Sequence, residues 1–243
     1  MGRENAIHIE SFLGSARLAP YLHESSGDID RAVDLYRWNC NLAGAWHTQF
    51  SYFEVMVRNA MDRALADWNQ TLGLPASWSL RHHANDDLYR LIQSPLKNAR
   101  RRAESEAQSR SRHQNHPRYG QPVSHDDIVA QLTFGSWSSL LGEGLSWQRA
   151  CETDTLWYDA LHNAFPYARI NASGRRYIGK RLERMRQLRN RISHQENLLR
   201  INVNDRLRDM LTVLSSIGPN YPTWAMADSR VRQVAREDPR KQW

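Results

Sequence analysis

The apolar positions of the chain recur at steps of three or four over long stretches, the spacing of one face of an α-helix. The longest stretch runs from Ile29 to Trp68. It covers about eleven turns and predicts one long helix or a kinked pair, with Gly44 as the expected kink. Ser25 and Asp28 have the spacing of a capping box, so we expect them to start this helix, and Pro75 follows its end.

Shorter stretches with the same periodicity predict the remaining elements. A second helix is expected near Asn85, with a restart at Ser94-Pro95, and Ser124 with Asp127 repeats the capping-box spacing. No alternating strand pattern occurs, so the sequence predicts an all-α fold. Further helices are expected at Thr153–Ala164, after Ser173-Gly174 and at Asp205–Ile217, and the second of these carries an apolar stripe at Ile178, Leu182, Met185, Leu188 and Ile192.

The organisation of the chain shows no internal repeat and no domain boundary. With 243 residues the chain is long enough to bury a sizeable core without disulfide or metal staples. We therefore expect a single helical domain over residues 1–220, with a mobile basic loop at about 109–121. The sequence leaves open whether residues 221–243 form an ordered tail.

Several classes of protein are excluded by composition and motif. No apolar run approaches the roughly 18 residues of a membrane helix, and the segment Met1–Glu10 lacks the apolar region of a signal peptide, so we expect a cytoplasmic protein with no membrane partner. Cys40 and Cys151 are far apart, which excludes a disulfide framework. The ten histidines form no metal-binding motif, and no phosphate-binding glycine loop occurs. We expect neither a metal nor a cofactor.

The charge of the chain points to a polyanionic partner. The formal net charge is +7, and residues 169–200 alone hold ten Arg or Lys against two acidic residues. Almost all cations are arginine, whose guanidinium suits bidentate contacts with phosphate. RNA-binding candidates are Arg181, Arg184, Arg186 and Arg191, although such a face can also be merely solvated. The run Arg100–Arg102 is a weaker signal of the same kind, and the sequence gives it no role.

At the end of the most basic helix, Arg189 and His194, with Asn190 directly after the arginine, resemble the R-x(4 to 6)-H signature of HEPN ribonucleases, and this resemblance makes them the candidate catalytic residues. Cleaving RNA without metal needs a group that moves protons near the 2′-OH and the leaving 5′-oxygen, and a cation for the charge that develops on phosphate. An imidazole exchanges protons near neutrality, so His194 suits the first task. Arg189 would hold the phosphate and Asn190 would orient phosphate or imidazole. The alternative reading of His194 is a helix-terminal histidine that interacts with the helix dipole.

Three segments taken together resemble a known family. They are Trp38-Asn39 with Glu54–Met61, then Leu132–Leu141, then Leu188–His194. In this order they resemble the Abi-like (abortive infection) branch of the HEPN ribonucleases, over about residues 15–215. The resemblance implies an all-α, HEPN-type helical bundle with long amphipathic helices and peripheral helices. It also implies a metal-independent endoribonuclease that acts in anti-phage defence or as a toxin. Family members often continue the motif with a second His and a Pro, where this chain has Gln195-Glu196-Asn197.

The resemblance also implies partners and supporting residues. Glu54, Arg58 and Asn59 would support the site, although Glu54 and Arg58 also have the spacing of an intrahelical ion pair. Five helical residues turn by about 500°, which leaves Arg189 and His194 about 140° apart. We therefore expect a homodimer with a composite active site, RNA as substrate, and an antitoxin or regulatory RNA as a further partner. The alternative from another class is a non-catalytic RNA-binding or regulatory HEPN module.

Overall fold

The regular elements of this protein are helices, as the sequence predicts. The computed structural model describes residues 9–142 and 146–243, and within these ranges no strand occurs, which confirms the all-α fold class. The α-helices are α1 (residues 9–13), α2 (Ser15–Glu24), α3 (Ile29–Thr71), α4 (Asp86–Arg110), α5 (His125–Gln131), α6 (Phe134–Ser139), α7 (Trp147–Asp159), α8 (Ala172–Ser193), α9 (Val203–Ile217), α10 (Tyr221–Met226) and α11 (Val231–Arg236). Two 3₁₀-helices, Leu161–Ala164 and Pro239–Gln242, complete the set.

The longest helix, α3, is one continuous element of 43 residues that passes through Gly44. Its N-cap is Asp28, whose carboxylate accepts from the backbone N–H of Asp30 at 3.0 Å and of Arg31 at 3.1 Å. Ser25 takes no part in this cap, because its hydroxyl donates to the backbone oxygen of Asp28 at 2.8 Å. The predicted capping box at Ser25 and Asp28 is therefore wrong, and Asp28 alone starts the helix.

Helix α4 continues through Pro95, so the predicted restart at Ser94 is wrong. Proline lacks a backbone N–H, which leaves the carbonyl of Leu91, four residues earlier, without its helical donor. The guanidinium of Arg149, from α7, donates to this carbonyl at 2.6 Å. A contact from a distant part of the chain thus replaces the missing hydrogen bond and keeps the helix whole.

The predicted capping box at Ser124 and Asp127 is confirmed at the start of α5. Asp127 also accepts hydrogen bonds from the guanidinium groups of Arg118, at 2.5 and 2.8 Å, and of Arg110, at 3.2 Å. The bond from Arg118 is the main cause that holds the pKa of the Asp127 carboxyl well below its usual range. The end of the 109–121 segment is thereby tied to α5, and the mobility of this segment stays a prediction.

The chain forms two compact units, and each unit is built from segments that are not consecutive in the sequence. The first comprises residues up to 53, 187–208 and 223–243, and the second comprises residues 54–186 and 209–222. The chain passes from one unit to the other within α3, α8, α9 and α10. No linker marks the division, which explains why the sequence shows no boundary. The single domain over residues 1–220 stays a prediction.

The core of the first unit includes the C-terminal residues. Trp38 of α3 donates through its indole Nε1 to the backbone oxygen of Val234 at 2.8 Å, and the Gln49 amide donates to that of Ala225 at 2.7 Å. Both donors and both acceptor residues are buried. Residues 223–243 are therefore part of a folded core, which settles the order of the tail that the sequence left open.

The core of the second unit contains most of the apolar stripe of α8. Ile178, Leu182 and Met185 are fully buried there, and the last two stripe positions, Leu188 and Ile192, are buried in the first unit. This confirms the predicted face of α8.

Each unit also exposes one cysteine, Cys40 on α3 in the first and Cys151 on α7 in the second. None of the helices in residues 9–142 and 146–243 is long and apolar enough to cross a lipid bilayer.

Candidate active site

The candidate site begins where α8 ends. His194 is the C-cap, because its backbone N–H still donates to Asn190 at 2.9 Å, as in a helix. The next two amides turn back, that of Gln195 to Ile192 at 3.1 Å and that of Glu196 to Arg191 at 2.8 Å. This pair of bonds is the Schellman motif, in which the residue directly after the C-cap is left-handed and is most often glycine. Gln195 occupies that position with a φ of 58°.

The loop after His194 is held at three points within the first unit. The guanidinium of Arg17, on α2, donates to the backbone oxygen of Gln195 at 3.1 Å. Arg191 donates to the backbone oxygen of Asn197 at 2.8 Å, and the backbone N–H of Leu198 donates to the side chain of Asn39 at 2.7 Å. A loop with this many fixed backbone groups holds the C-cap residue in one place. Arg191, predicted to contact RNA, is thus one of the groups that close this loop.

The three residues of the motif differ in exposure. His194 is exposed, whereas Arg189 and Asn190 are half-buried. Asn190 and His194 are four positions apart and share one helix face, and neither side chain has a hydrogen-bond partner within residues 9–142 and 146–243. Because the helix does not end before Ser193, Arg189 keeps its expected angular separation of about 140° from His194.

The predicted supporting residues lie on α3, in the second unit. Glu54 and Arg58 are half-buried and Asn59 is exposed. The Arg58 guanidinium donates to the side-chain oxygen of its neighbour Asn59 at 3.3 Å. The motif residues Arg189, Asn190 and His194 belong to the first unit, so a role of Glu54, Arg58 and Asn59 at the site stays a prediction.

The remaining arginines predicted to bind RNA have intramolecular partners. Arg184 donates two hydrogen bonds to Asp209 of α9, at 2.7 and 2.5 Å, and Arg186 donates two to Glu183, at 2.7 and 2.6 Å. Arg181 lies over the ring of Tyr177, 3.5 Å from its centroid, and donates to that residue's carbonyl. Much of the charge of these side chains is therefore neutralised within the second unit, and their contact with RNA stays a prediction.

Arg100 and Arg102, in the basic run of α4, have structural contacts. Arg100 donates to the backbone oxygens of Ser79 and Leu80, both at 2.7 Å, and its burial lowers the pKa of the guanidinium. Arg102 donates to the backbone oxygen of Gln131 at 2.7 Å. Both side chains therefore fasten loops and helix ends to α4, which gives two members of this run a role in the fold.

A groove with a basic rim follows the motif in the first unit. The chain continues from His194 to Leu198 and Val203, which line this groove, and the groove has a volume of about 410 Å³. Arg232 and Arg236, one helical turn apart on α11, also line the groove. Both are exposed and neither has an acidic partner in the part of the chain that the structure describes. This groove suits an anion such as a phosphodiester.

An unforeseen polar cluster in the second unit has the residue types of a catalytic triad. The Ser79 hydroxyl lies 2.7 Å from Nδ1 of His125, and Nε2 of His125 lies 3.2 Å from Asp62. The indole of Trp78 donates to the same carboxylate at 2.9 Å. Ser79 is 0% exposed, so its hydroxyl cannot reach a substrate, and the cluster is a buried structural network. No spacing in the sequence signals it, because its members are separated by 17 and 46 positions.

No group of three or more His, Cys, Asp or Glu side chains within residues 9–142 and 146–243 is placed to hold a metal ion.

Comparisons of the chain with protein-family models, with curated proteins and with solved structures found no match. The function is therefore indicated by the geometry at the end of α8 and by the resemblance of the three sequence segments.

Proposed function

We propose that this protein is an endoribonuclease of the HEPN type that cleaves RNA without a metal ion. The observation that carries the proposal is the pair Asn190 and His194. Both side chains lack an intramolecular hydrogen bond in the described chain, share one face at the end of α8, and precede a loop that is fastened at three points. Side chains that the protein itself does not engage are available to a substrate, and the fastened loop fixes the backbone that follows them.

The proposed reaction is attack of the ribose 2′-oxygen on the adjacent phosphorus. The O2′–P bond forms while the P–O5′ bond breaks, the 2′-OH proton passes to a base, and the 5′-oxygen receives a proton from an acid. The products are a 2′,3′-cyclic phosphate and a 5′-OH. His194 performs one of the two proton transfers, and Arg189 stabilises the charge on the phosphate oxygens.

A homodimer supplies the second proton-transfer group. One imidazole cannot serve as base and acid at once, and Arg189 points about 140° away from His194 around the same helix. A two-fold axis between the ends of two α8 helices would place both motifs in one cleft. The acid partners of Arg184 and Arg186 support this arrangement, because they reduce the repulsion between two basic helices.

The biological setting rests on the resemblance to the Abi-like branch. We propose that the enzyme acts in the cytoplasm, in anti-phage defence or as a toxin, under the control of an antitoxin or regulatory RNA. An antitoxin or a regulatory RNA would act by changing the rate of RNA cleavage. Cleavage itself is therefore tested before either partner.

The test is cleavage of end-labelled RNA by the purified full-length protein in the presence of EDTA. We expect cleavage products that end in a 2′,3′-cyclic phosphate, identified by mass spectrometry. His194→Ala should reduce the rate by about 10²- to 10⁴-fold, the usual contribution of a proton-transfer group. His23→Ala is the matched control, because His23 is also an exposed histidine in the last turn of a helix, α2, and should leave the rate unchanged.

Two results would overturn the proposal. Cleavage by His194→Ala at the parent rate would remove this residue from the reaction, and a requirement for added Mg²⁺ would exclude the proposed chemistry. A protein that binds RNA but does not cleave it would instead be the non-catalytic RNA-binding module.

A further inference from the structure

Four large side chains are exposed near the start of α8, in the second unit. They are Tyr158, Tyr167, Ile170 and Tyr177, with exposed fractions of 47%, 67%, 57% and 48%. Exposed large apolar and aromatic side chains that are concentrated in one segment of a folded protein commonly mark a binding surface. We call these four residues, with the cations described below, the aromatic platform.

Three hydrogen bonds fix the platform to the rest of the second unit. The Tyr158 hydroxyl accepts from the backbone N–H of Ala172 at 3.2 Å, and the indole of Trp157 donates to the backbone oxygen of Ile170. The backbone N–H of Tyr167 donates to Ser216 at 3.1 Å. The segment between α7 and α8 is therefore held against both α7 and α9, so the backbone that carries its aromatic side chains is fixed in place.

The platform also carries cations that have no acidic partner. Arg169, Arg176 and Lys180 are exposed, and none forms an ion pair or hydrogen bond through its side chain within residues 9–142 and 146–243. Arg176 and Lys180 are one turn apart on α8 and lie beside Tyr177. In contrast, Arg184 and Arg186 further along the helix are bound to carboxylates. The unpaired cations Arg176 and Lys180 thus lie in the same part of α8 as Tyr177.

The ring of Tyr177 is itself oriented by a cation. The Arg181 guanidinium covers one face at 3.5 Å from the centroid, so the ring has one occupied face and remains 48% exposed. A fixed ring with an open side loses little conformational entropy when a planar group stacks on it.

We propose that the aromatic platform binds a single-stranded segment of RNA, with bases stacked on Tyr177 and Tyr167 and phosphates bound by Arg176, Lys180 and Arg169. Aromatic rings interleaved with unpaired cations are the combination that single-stranded nucleic acids require. A duplex keeps its bases stacked internally and cannot use the rings. The identity of the polyanion as RNA rests on the proposed function, whereas the preference for single strands rests on the platform alone.

The test measures binding of a fluorescent single-stranded 12-mer RNA by anisotropy, with full-length His194→Ala protein so that the RNA stays intact. Tyr167→Ala with Tyr177→Ala should weaken binding, by about 5- to 150-fold for each base that loses its ring. Tyr177→Phe should bind like the parent, because phenylalanine keeps the stacking face. Tyr119→Ala, which removes an equally exposed tyrosine elsewhere in the second unit, is the matched control and should have no effect.

The contribution of the cations to RNA binding is measured separately, from its dependence on salt. Arg176→Gln with Lys180→Gln should weaken binding and reduce the slope of log K against log salt by about 1.4, because each phosphate contact on a single strand contributes about 0.7. A blunt-ended duplex of the same length should bind more weakly and should not respond to the tyrosine variants. The thermal unfolding midpoint of each variant, followed by circular dichroism, shows that it is folded.

The outcomes separate this proposal from the proposed function. If the tyrosine and glutamine variants bind single-stranded RNA as the parent does, or if the duplex binds equally well, the platform proposal is overturned while the cleavage result for His194 stands. If the variants lose binding and His194→Ala still cleaves, the platform holds and the catalytic assignment fails. Loss of binding to a protein partner but not to RNA would identify the platform as a protein interface and would also overturn the proposal.

Discussion

Asn39 and Leu198 are joined by a hydrogen bond of 2.7 Å in which the backbone N–H of Leu198 donates to the side-chain oxygen of Asn39. Asn39 is a buried residue of α3 in the first unit, and Leu198 follows His194 by four residues. The long helix therefore fixes the chain just beyond the motif. This gives Trp38-Asn39, one of the segments that carry the family resemblance, a physical role in positioning the end of α8.

Asn39→Ala should destabilise the protein by about 1–3 kcal/mol, because it leaves the buried amide of Leu198 without an acceptor. It should also lower RNA cleavage, since the loop after His194 loses one of its three attachments. The free energy of unfolding from urea titration and the cleavage rate check both effects. Asn41→Ala, two residues along the same helix and exposed, should change stability by no more than about 0.5 kcal/mol. Equal effects of the two substitutions would contradict this role of Asn39.

Gln195→Gly should stabilise the protein by about 1 kcal/mol. Gln195 has a φ of 58°, a conformation that is unfavourable for residues with a Cβ and free of strain for glycine. Cleavage should be retained, because the backbone bonds of the helix end are kept. The control is Gln93→Gly in the exposed interior of α4, which should cost about 1 kcal/mol. A loss of stability on Gln195→Gly would show that the side chain has a role of its own.

Asp127 should give the protein a stability that depends on pH. The pKa of its carboxyl is depressed in the folded state, so its contribution is complete above about 3.9, the pKa of an unfolded aspartate, and is lost as the pH falls below that value. Asp127→Asn should therefore lose about 1.5–3 kcal/mol at pH 7 and a smaller amount at pH 3, where the loss is partial because the folded-state pKa lies lower still. Urea titrations at both pH values measure the difference. Asp126→Asn, at the exposed neighbouring position, should show no such pH dependence.

Two glycines should respond to alanine in opposite directions. A Cβ at Gly174 would lie 1.8 Å from the backbone oxygen of Arg169, so Gly174→Ala must displace the chain before α8 and should cost at least about 1–3 kcal/mol. A Cβ at Gly44 would meet no atom within 4 Å, so Gly44→Ala in the interior of α3 should gain about 1 kcal/mol. Thermal unfolding of both variants would contradict this if the two midpoints moved in the same direction.

The features that the sequence predicted well depend on contacts between near neighbours. The apolar stripe of α8 is buried at all five positions, because a period of 3.6 residues defines the inner face of a helix without knowledge of what packs against it. The capping box at Ser124 is correct for the same reason, since both of its hydrogen bonds lie within four residues.

The features that the sequence missed depend on groups from distant parts of the chain. The rule that proline interrupts a helix is sound, yet it fails at Pro95 because Arg149, 54 residues later, donates to the carbonyl that proline leaves unsatisfied. The charge of Arg184 is matched by Asp209, on another helix. No spacing along the chain predicts either contact. The sequence therefore shows where the charges of α8 lie but not which of them lack an acidic partner.

The positions of the two cysteines allow the distance between the two units to be measured directly. Cys40 and Cys151 are both exposed, they are the only cysteines in the chain, and each belongs to a different unit. A nitroxide label on each thiol would therefore report the separation of the two units by pulsed electron spin resonance, in the native sequence and without any substitution. The same labelled protein, measured with and without single-stranded RNA, would show whether the substrate changes that separation.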